Sequence, residues 1–220
     1  MRWVASRLRQ RFSGRAAPPD AAHYWSERAR RWGPRAVLDL RHDPAQVAEV
    51  TERQRREIFP HLREALDGSE RTLVDFGCGT GRFTAELARL IGGRALGFDI
   101  CAELLAAAPS DPAIAYARVG DAGLPLCSAS ADVVWVCLVL GGITEPRALD
   151  LAAAEILRVL APGGLLFLVE NTSELPSPSH WSYRPVAAYQ ELFAPLALRH
   201  CGDYRDLGET MSILAGRASR

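Results

Sequence analysis

From Thr72 onward the chain alternates short, nearly unbroken apolar runs with helical patterns, and few architectures accept that rhythm. The runs TLVDFG, RALGFDI, IAYARVG, ADVVWVCLVL and GLLFLVE are too apolar to show the in-out alternation of a half-exposed strand. Strands of that kind are buried on both faces, as in a parallel sheet covered by helices. Between them, RFTAELARLI, AELLAAA and PRALDLAAAEILRVL read as helices, the last stopped by the turn Pro162-Gly163-Gly164. A polar cap insertion near residues 171–190 then carries into a short helix from Pro185 to Phe193. LALRHCGDY and TMSILAG add two further strands. Residues 72–217 are therefore expected to be α/β, a doubly wound, mostly parallel seven-stranded sheet with an antiparallel last strand.

Ahead of this domain, residues 20–71 read as an N-terminal helical lid. Asp20 is the expected N-cap of a first helix that Gly33 closes. Val47, Val50, Gln54 and Ile58 share one face of a second helix, which Pro60 should end or kink. A further short helix should follow and close at Gly68. Residues 1–19 form an arginine-rich arm with Pro18 and Pro19, expected to be flexible. Residues 1–35 hold nine arginines and two acids, so they carry +7 and leave −7 on the remainder of a chain of zero net charge. Such an arm is either docked on an acidic body or an attractor for a phosphate-bearing partner.

Several classes are disfavoured. No apolar run reaches the roughly 18–20 residues that span a bilayer. The five cysteines are scattered and never in a CxxC pair, which argues against a disulfide framework or a zinc site. The basic start lacks the continuous apolar segment of a secretory signal, so a cytoplasmic location is expected. All 26 basic residues are arginine, so an arginine-rich start reflects composition more than targeting.

In a doubly wound sheet, ligands bind beyond the carboxyl ends of the strands near the switch point. There the first strand ends in Asp75-Phe76-Gly77-Cys78-Gly79-Thr80-Gly81, directly before a helix. Gly77 and Gly79 permit a tight turn and close approach of backbone to ligand, and Gly81 permits close helix packing, leaving free N–H groups toward the ligand. The spacing is GxGxG with Arg82 in the sixth position, unlike the GxGxxG of dinucleotide binders. The second strand ends in Asp99, placed to accept hydrogen bonds from a ribose diol.

VDFGCGTGRF, GFDI, GDAGLPL and RVLAPGGLLFLVE, in this order and spacing, resemble the class I S-adenosylmethionine-dependent methyltransferase family. The resemblance implies S-adenosylmethionine as cofactor and the following roles. Gly77, Cys78, Gly79 and Gly81 would line its methionine part, with Asp75 near the ammonium group. Asp99 would hold the ribose hydroxyls, and Ile100 would pack on the adenine. Asp121 and Ala122 would contact the adenine edge, while Cys137 and Leu138 would face the methionine moiety and sulfonium. After the fourth strand this chain has Leu140-Gly141-Gly142-Ile143, where many relatives carry polar or histidine residues. The glycines offer room but no general base. No acidic cluster of the kind a magnesium-dependent enzyme needs is visible, so metal-independent transfer is expected.

Acceptor-side candidates lie on two segments. In the insertion, Glu170 and His180 are the candidate catalytic groups, and Trp181, Tyr183 and Arg184 are candidates for holding the acceptor. On the first helix, Tyr24 and Trp25 occupy the place of a lid and would shape the same pocket. A small-molecule acceptor (a sugar, nucleotide-linked sugar or secondary metabolite, methylated on oxygen or nitrogen) fits a neutral chain without a separate nucleic-acid module. RNA or protein methylation guided by the basic arm, and a cofactor-binding subunit that needs a partner, remain alternatives. A nicotinamide dehydrogenase is the remaining enzyme class, and the GxGxG spacing argues against it.

Overall fold

The computed structural model describes residues 20–120 and 123–219, so the basic arm lies outside the described residues. Seven strands form one sheet in the order β3-β2-β1-β4-β5-β7-β6. They are β1 (Thr72–Phe76), β2 (Arg94–Asp99), β3 (Ile114–Arg118), β4 (Ala131–Cys137), β5 (Leu160–Asn171), β6 (Arg199–Asp206) and β7 (Glu209–Arg217). The first five are mutually parallel, and β7 runs antiparallel to both neighbours. The sheet is the one expected from the sequence. Winding reverses between β1 and β4, which opens a crevice at their carboxyl ends.

The apolar strands are double-faced, as their composition required. Val133 and Trp135 of β4 pack on one side with Leu165, Phe167 and Val169 of β5, beneath α2 (Val47–Ala65) and α3 (Thr84–Leu90). Val134 and Val136 point the other way with Leu166 and Leu168, toward α5 (Pro146–Val159) and α6 (Val186–Leu192). Trp135 and Phe167 are register partners whose rings stack at 5.3 Å. That contact locks the β4–β5 pairing on which the site depends.

The N-terminal region departs from expectation. α1 (Ala21–Trp32) is capped as predicted, with the Asp20 carboxylate accepting from the Ala22 and His23 N–H groups and Gly33 at φ +56°. α2, however, runs unbroken through Pro60. Ile58, Phe59 and Leu62 flank the proline and are fully buried on the sheet. Their burial outweighs an interior proline's cost of about 3 kcal/mol. α2 is thus a layer of the sandwich and no part of a lid. One part of the expected lid, α1 with the 3-10 turn Gly33–Val37, packs apart from the two sheet cores. It is tied to α4 (Ala102–Leu105) by Arg30 and Ser26, which both bind Glu103, at 2.8 and 3.0 Å.

Candidate active site

At the end of β1 the backbone turns through left-handed conformations at Gly77 (φ +73°) and Gly79 (φ +56°). A Cβ at Gly77 would run into the Val139 methyls, and one at Gly79 would stand 2.6 Å from Val37 Cγ1 of the lid. Glycine is required at both for conformation and for space. The loop's N–H groups are not left free, contrary to the sequence-based expectation. Those of Gly77 and Cys78 donate to Phe98 O, that of Gly81 to Cys78 O, and that of Gly79 to Asp99 Oδ2 at 2.8 Å. The second carboxylate oxygen of Asp99 accepts from Cys101 N at 2.8 Å. Asp99 therefore pegs the glycine loop to the turn after β2.

Around this loop lies a cavity lined by Trp25, Val37, Asp75, Gly77, Cys78, Gly79, Arg82, Asp99, Ile100, Cys137, Leu138 and Val139, among others. It brings together the predicted cofactor residues on β1, β2 and β4. Gly81 belongs to the same loop beside Tyr116, whereas Asp121 and Ala122 lie outside the described residues. Val37 and Arg82 escaped the sequence reading. Leu138 holds φ +57°, which turns the chain sharply off β4 at the cavity wall.

The electrostatics suit a cationic ligand without phosphates. Asp75 is buried and accepts a hydrogen bond from the Thr84 hydroxyl, at 2.6 Å. Burial, with the nearby charge of Asp99, pushes its carboxyl up to about 7. Asp99 is raised by burial as well. Burial also holds the Cys78 thiol far above its usual range and pushes Cys137 up to about 12, so both are neutral walls. Two carboxylates face a ligand here, while the loop N–H groups that would cradle a pyrophosphate donate within the protein. S-adenosylmethionine, with its sulfonium and ammonium charges, fits this donor set better than a dinucleotide does.

A pH dependence follows. A ligand ammonium stabilises ionised Asp75 and lowers its pKa from about 7. S-adenosylmethionine affinity should therefore rise with pH by up to about tenfold per unit below pH 7, then level off. Titration calorimetry between pH 5.5 and 7.5 measures it. Asp75→Asn should flatten the slope, and an unchanged slope in that variant would refute the assignment.

Beside this cavity is a second one, which shares the walls Trp25, Val37 and Leu138. His180, Trp181 and Tyr183 line it. Trp181 lies over Gly141 and Gly142, and a Cβ at Gly141 would enter the indole ring. The paired glycines thus make room for Trp181. The His180 ring stacks on Tyr24 at 4.9 Å, and burial with the Arg28 charge lowers its pKa. Tyr24 backs His180 without lining either cavity, which corrects its acceptor-binding assignment.

Two further corrections concern charged residues. Glu170 is fully buried and lines neither cavity. Its carboxylate accepts the N–H groups of Val139, Leu140 and Gly141, so it anchors the loop after β4 and is not a catalytic base. Arg184 donates to Leu140 O and Ile143 O of the same loop, at 2.8 and 2.7 Å, and lines neither cavity. The second cavity instead recruits Arg41, Asn171, Asp206, Glu209 and Met211, which sequence reasoning missed. Glu209 joins Arg41, Asn171 and the Tyr183 hydroxyl at one end.

Comparison with known proteins matches residues 74–168 to the family described as a methyltransferase domain. An O-methyltransferase of Penicillium expansum, cnsE, is 32% identical over 168 residues, covering 70% of this chain. The chain spans 56% of that relative's length. Among solved structures, the [4+2]-cyclase SpnF superposes with a TM-score of 0.66 at 19% identity, covering 94% of this chain and 99% of that one. A SAM-dependent methyltransferase from Aquifex aeolicus superposes with a TM-score of 0.56 at 16% identity, covering 79% and 98%.

Proposed function

We propose that the chain is a class I S-adenosylmethionine-dependent methyltransferase and that it methylates an oxygen or nitrogen of a small molecule held in the second cavity. The observation that carries this reading is the shared wall. Trp25, Val37 and Leu138 border both cavities, so a cofactor in the first lies next to an acceptor in the second. Fold alone would not suffice, because the [4+2]-cyclase SpnF has the same fold. The second cavity, about 370 Å³, is of the size that small ligands occupy.

When bound, S-adenosylmethionine supplies an electrophilic methyl group on sulfur. The protein aligns the acceptor with it, excludes water and removes a proton where the accepting atom carries one. Trp25 and Trp181 supply flat walls for the acceptor. His180, kept neutral by burial at physiological pH, is the group that takes the proton. Among the described residues no three His, Cys, Asp or Glu side chains are grouped to hold a metal, and the proposed reaction uses none. The Arg28 and Arg41 donors are committed within the protein, Arg28 to Ala36 O, Leu38 O and Tyr24 Oη, and Arg41 to Asp39 and Glu209. Those commitments favour an uncharged acceptor over a phosphorylated one.

Methyl-labelled S-adenosylmethionine added with a size-fractionated extract of the source organism tests the proposal. Label in the low-mass fraction supports it and yields the product for identification. Label only in RNA or protein refutes the small-molecule reading, and cofactor binding without transfer to any fraction refutes catalysis by the chain alone. Once an acceptor is known, His180→Phe should keep the stack on Tyr24 and leave cofactor affinity unchanged. For a hydroxyl acceptor its kcat should fall about 10²–10⁴-fold. Unchanged kcat would remove His180 from the chemistry.

A further inference from the structure

The second cavity is unevenly polar. The walls that it shares with the first, Trp25, Val37 and Leu138, are apolar. Arg41, Asn171, Tyr183 and Glu209 line the second cavity alone. Asn171 ends β5 and Glu209 opens β7, and both are buried. The side-chain nitrogens at this end are turned onto carboxylates. Arg41 Nη2 and Asn171 Nδ2 donate to Glu209, the latter at 2.5 Å, and Gln54 Nε2 donates to Asp206 at 3.1 Å. The charges are likewise paired within the protein, Arg41 with Asp39 and Glu209, and Asp206 with Arg53.

Unspent hydrogen-bonding capacity is left on oxygen. An ionised carboxylate offers about four lone-pair sites, and one short bond occupies each oxygen of Glu209. The Tyr183 hydroxyl stands 3.5 Å from Glu209 Oε2, beyond the usual reach of an O–H···O bond. Burial, with the charge of Glu209, raises the pKa of this phenol, so it keeps its proton and remains a donor. A donor and a carboxylate side by side, poorly satisfied by each other, suit a ligand group that both accepts and donates. A hydroxyl does both. An ether can only accept, and an ammonium can only donate.

We propose that the acceptor is a neutral, flat molecule carrying a hydroxyl group remote from its methylated atom, and that Tyr183 and Glu209 bind this hydroxyl. The proposal rests on the small-molecule reading above and narrows it. The flat part lies against Trp25 and Trp181, beside the shared wall. The remote hydroxyl accepts from Tyr183 Oη and donates to the Glu209 carboxylate, a charge-assisted bond that an ether or a bare ring cannot make. Tyr183 and Glu209 thus set specificity without touching a reacting atom. Arg41 and Asn171 act as positioning residues, because they hold the Glu209 carboxylate in place.

Calorimetry on the full chain saturated with S-adenosylhomocysteine tests this with three probes of one ring system: 2-naphthol, 2-methoxynaphthalene and 2-(aminomethyl)naphthalene. The naphthol should bind about 10- to 100-fold tighter than the ether, and tighter than the amine. In Glu209→Gln the gap between naphthol and ether should narrow at least about threefold. Tyr183→Phe should narrow it too, and keeps the Arg41–Glu209 pair should the first variant fold poorly. His180→Phe should leave the gap intact. An ether that binds as well as the naphthol overturns the proposal, and so does an amine that binds tightest, which marks a cationic acceptor. A gap unchanged in both variants, or lost in His180→Phe instead, puts the hydroxyl elsewhere and overturns it as well. If no probe binds while the extract yields a labelled low-mass product, the flat hydroxyl class is wrong and the small-molecule reading stands. If neither occurs, both fail.

Discussion

Glu170→Ala is expected to destabilise the protein by about 3–5 kcal/mol, which lowers the melting temperature by roughly 10 °C or more for a chain of this size. Removing the carboxylate orphans three backbone N–H groups at once, those of Val139 (2.8 Å), Leu140 (2.7 Å) and Gly141 (3.1 Å). Each is a donor that a buried loop cannot return to water. Burial drives the Glu170 carboxyl up to about 7, while the three donors pull it back. Arg184 holds the same loop through its carbonyls, so the variant keeps one clasp and loses the other. Because Leu138 and Val139 line the cofactor cavity, affinity for S-adenosylmethionine should fall alongside stability. Urea denaturation with and without cofactor measures both. A stability loss under about 1 kcal/mol would mean that the loop finds other acceptors.

The difference between what was legible and what was not follows from the range of the interactions. Strands β1, β2, β4 and β5 announced themselves because burial on both faces leaves no polar position, a property of each segment alone. Asp75, the glycine loop and Asp99 were legible for a related reason, since strand ends at the switch point are where such a sheet exposes chemistry. Glu170 was misassigned because an acid at a strand end looks the same whether it faces a ligand or a loop. Its real partners lie 29 to 31 residues earlier and meet it only through the β4–β5 register, where Cys137 pairs with Val169. Arg184 failed for the same reason. The break expected at Pro60 was a local rule overridden by the burial of Ile58, Phe59 and Leu62, which no local pattern reports. Asp206 and Glu209 reach the second cavity as register partners on either side of the β6–β7 turn, and nothing in their neighbourhood marks them. Val37 closes over Gly79 from a turn outside the sheet domain. Each of these depends on contacts between distant segments.

Asp99→Ala should weaken S-adenosylmethionine binding by about 10- to 100-fold, with Asp99→Asn falling between it and the wild type. Two losses combine in the alanine variant. One is direct, since the carboxylate lines the cavity and charge-assisted bonds to ribose hydroxyls contribute about 1.5–3 kcal/mol each. The other is architectural, because Asp99 also accepts from Gly79 N and Cys101 N and so fixes the glycine loop before any ligand arrives. Asparagine keeps one acceptor oxygen and can preserve only one of those two backbone bonds in its present form. Methylthioadenosine retains the ribose diol, so its affinity should fall with that of S-adenosylmethionine in the Asp99 variants. If Asp99→Ala binds both ligands within about threefold of the wild type, the carboxylate serves the loop alone, and the ribose must be held elsewhere in the cavity.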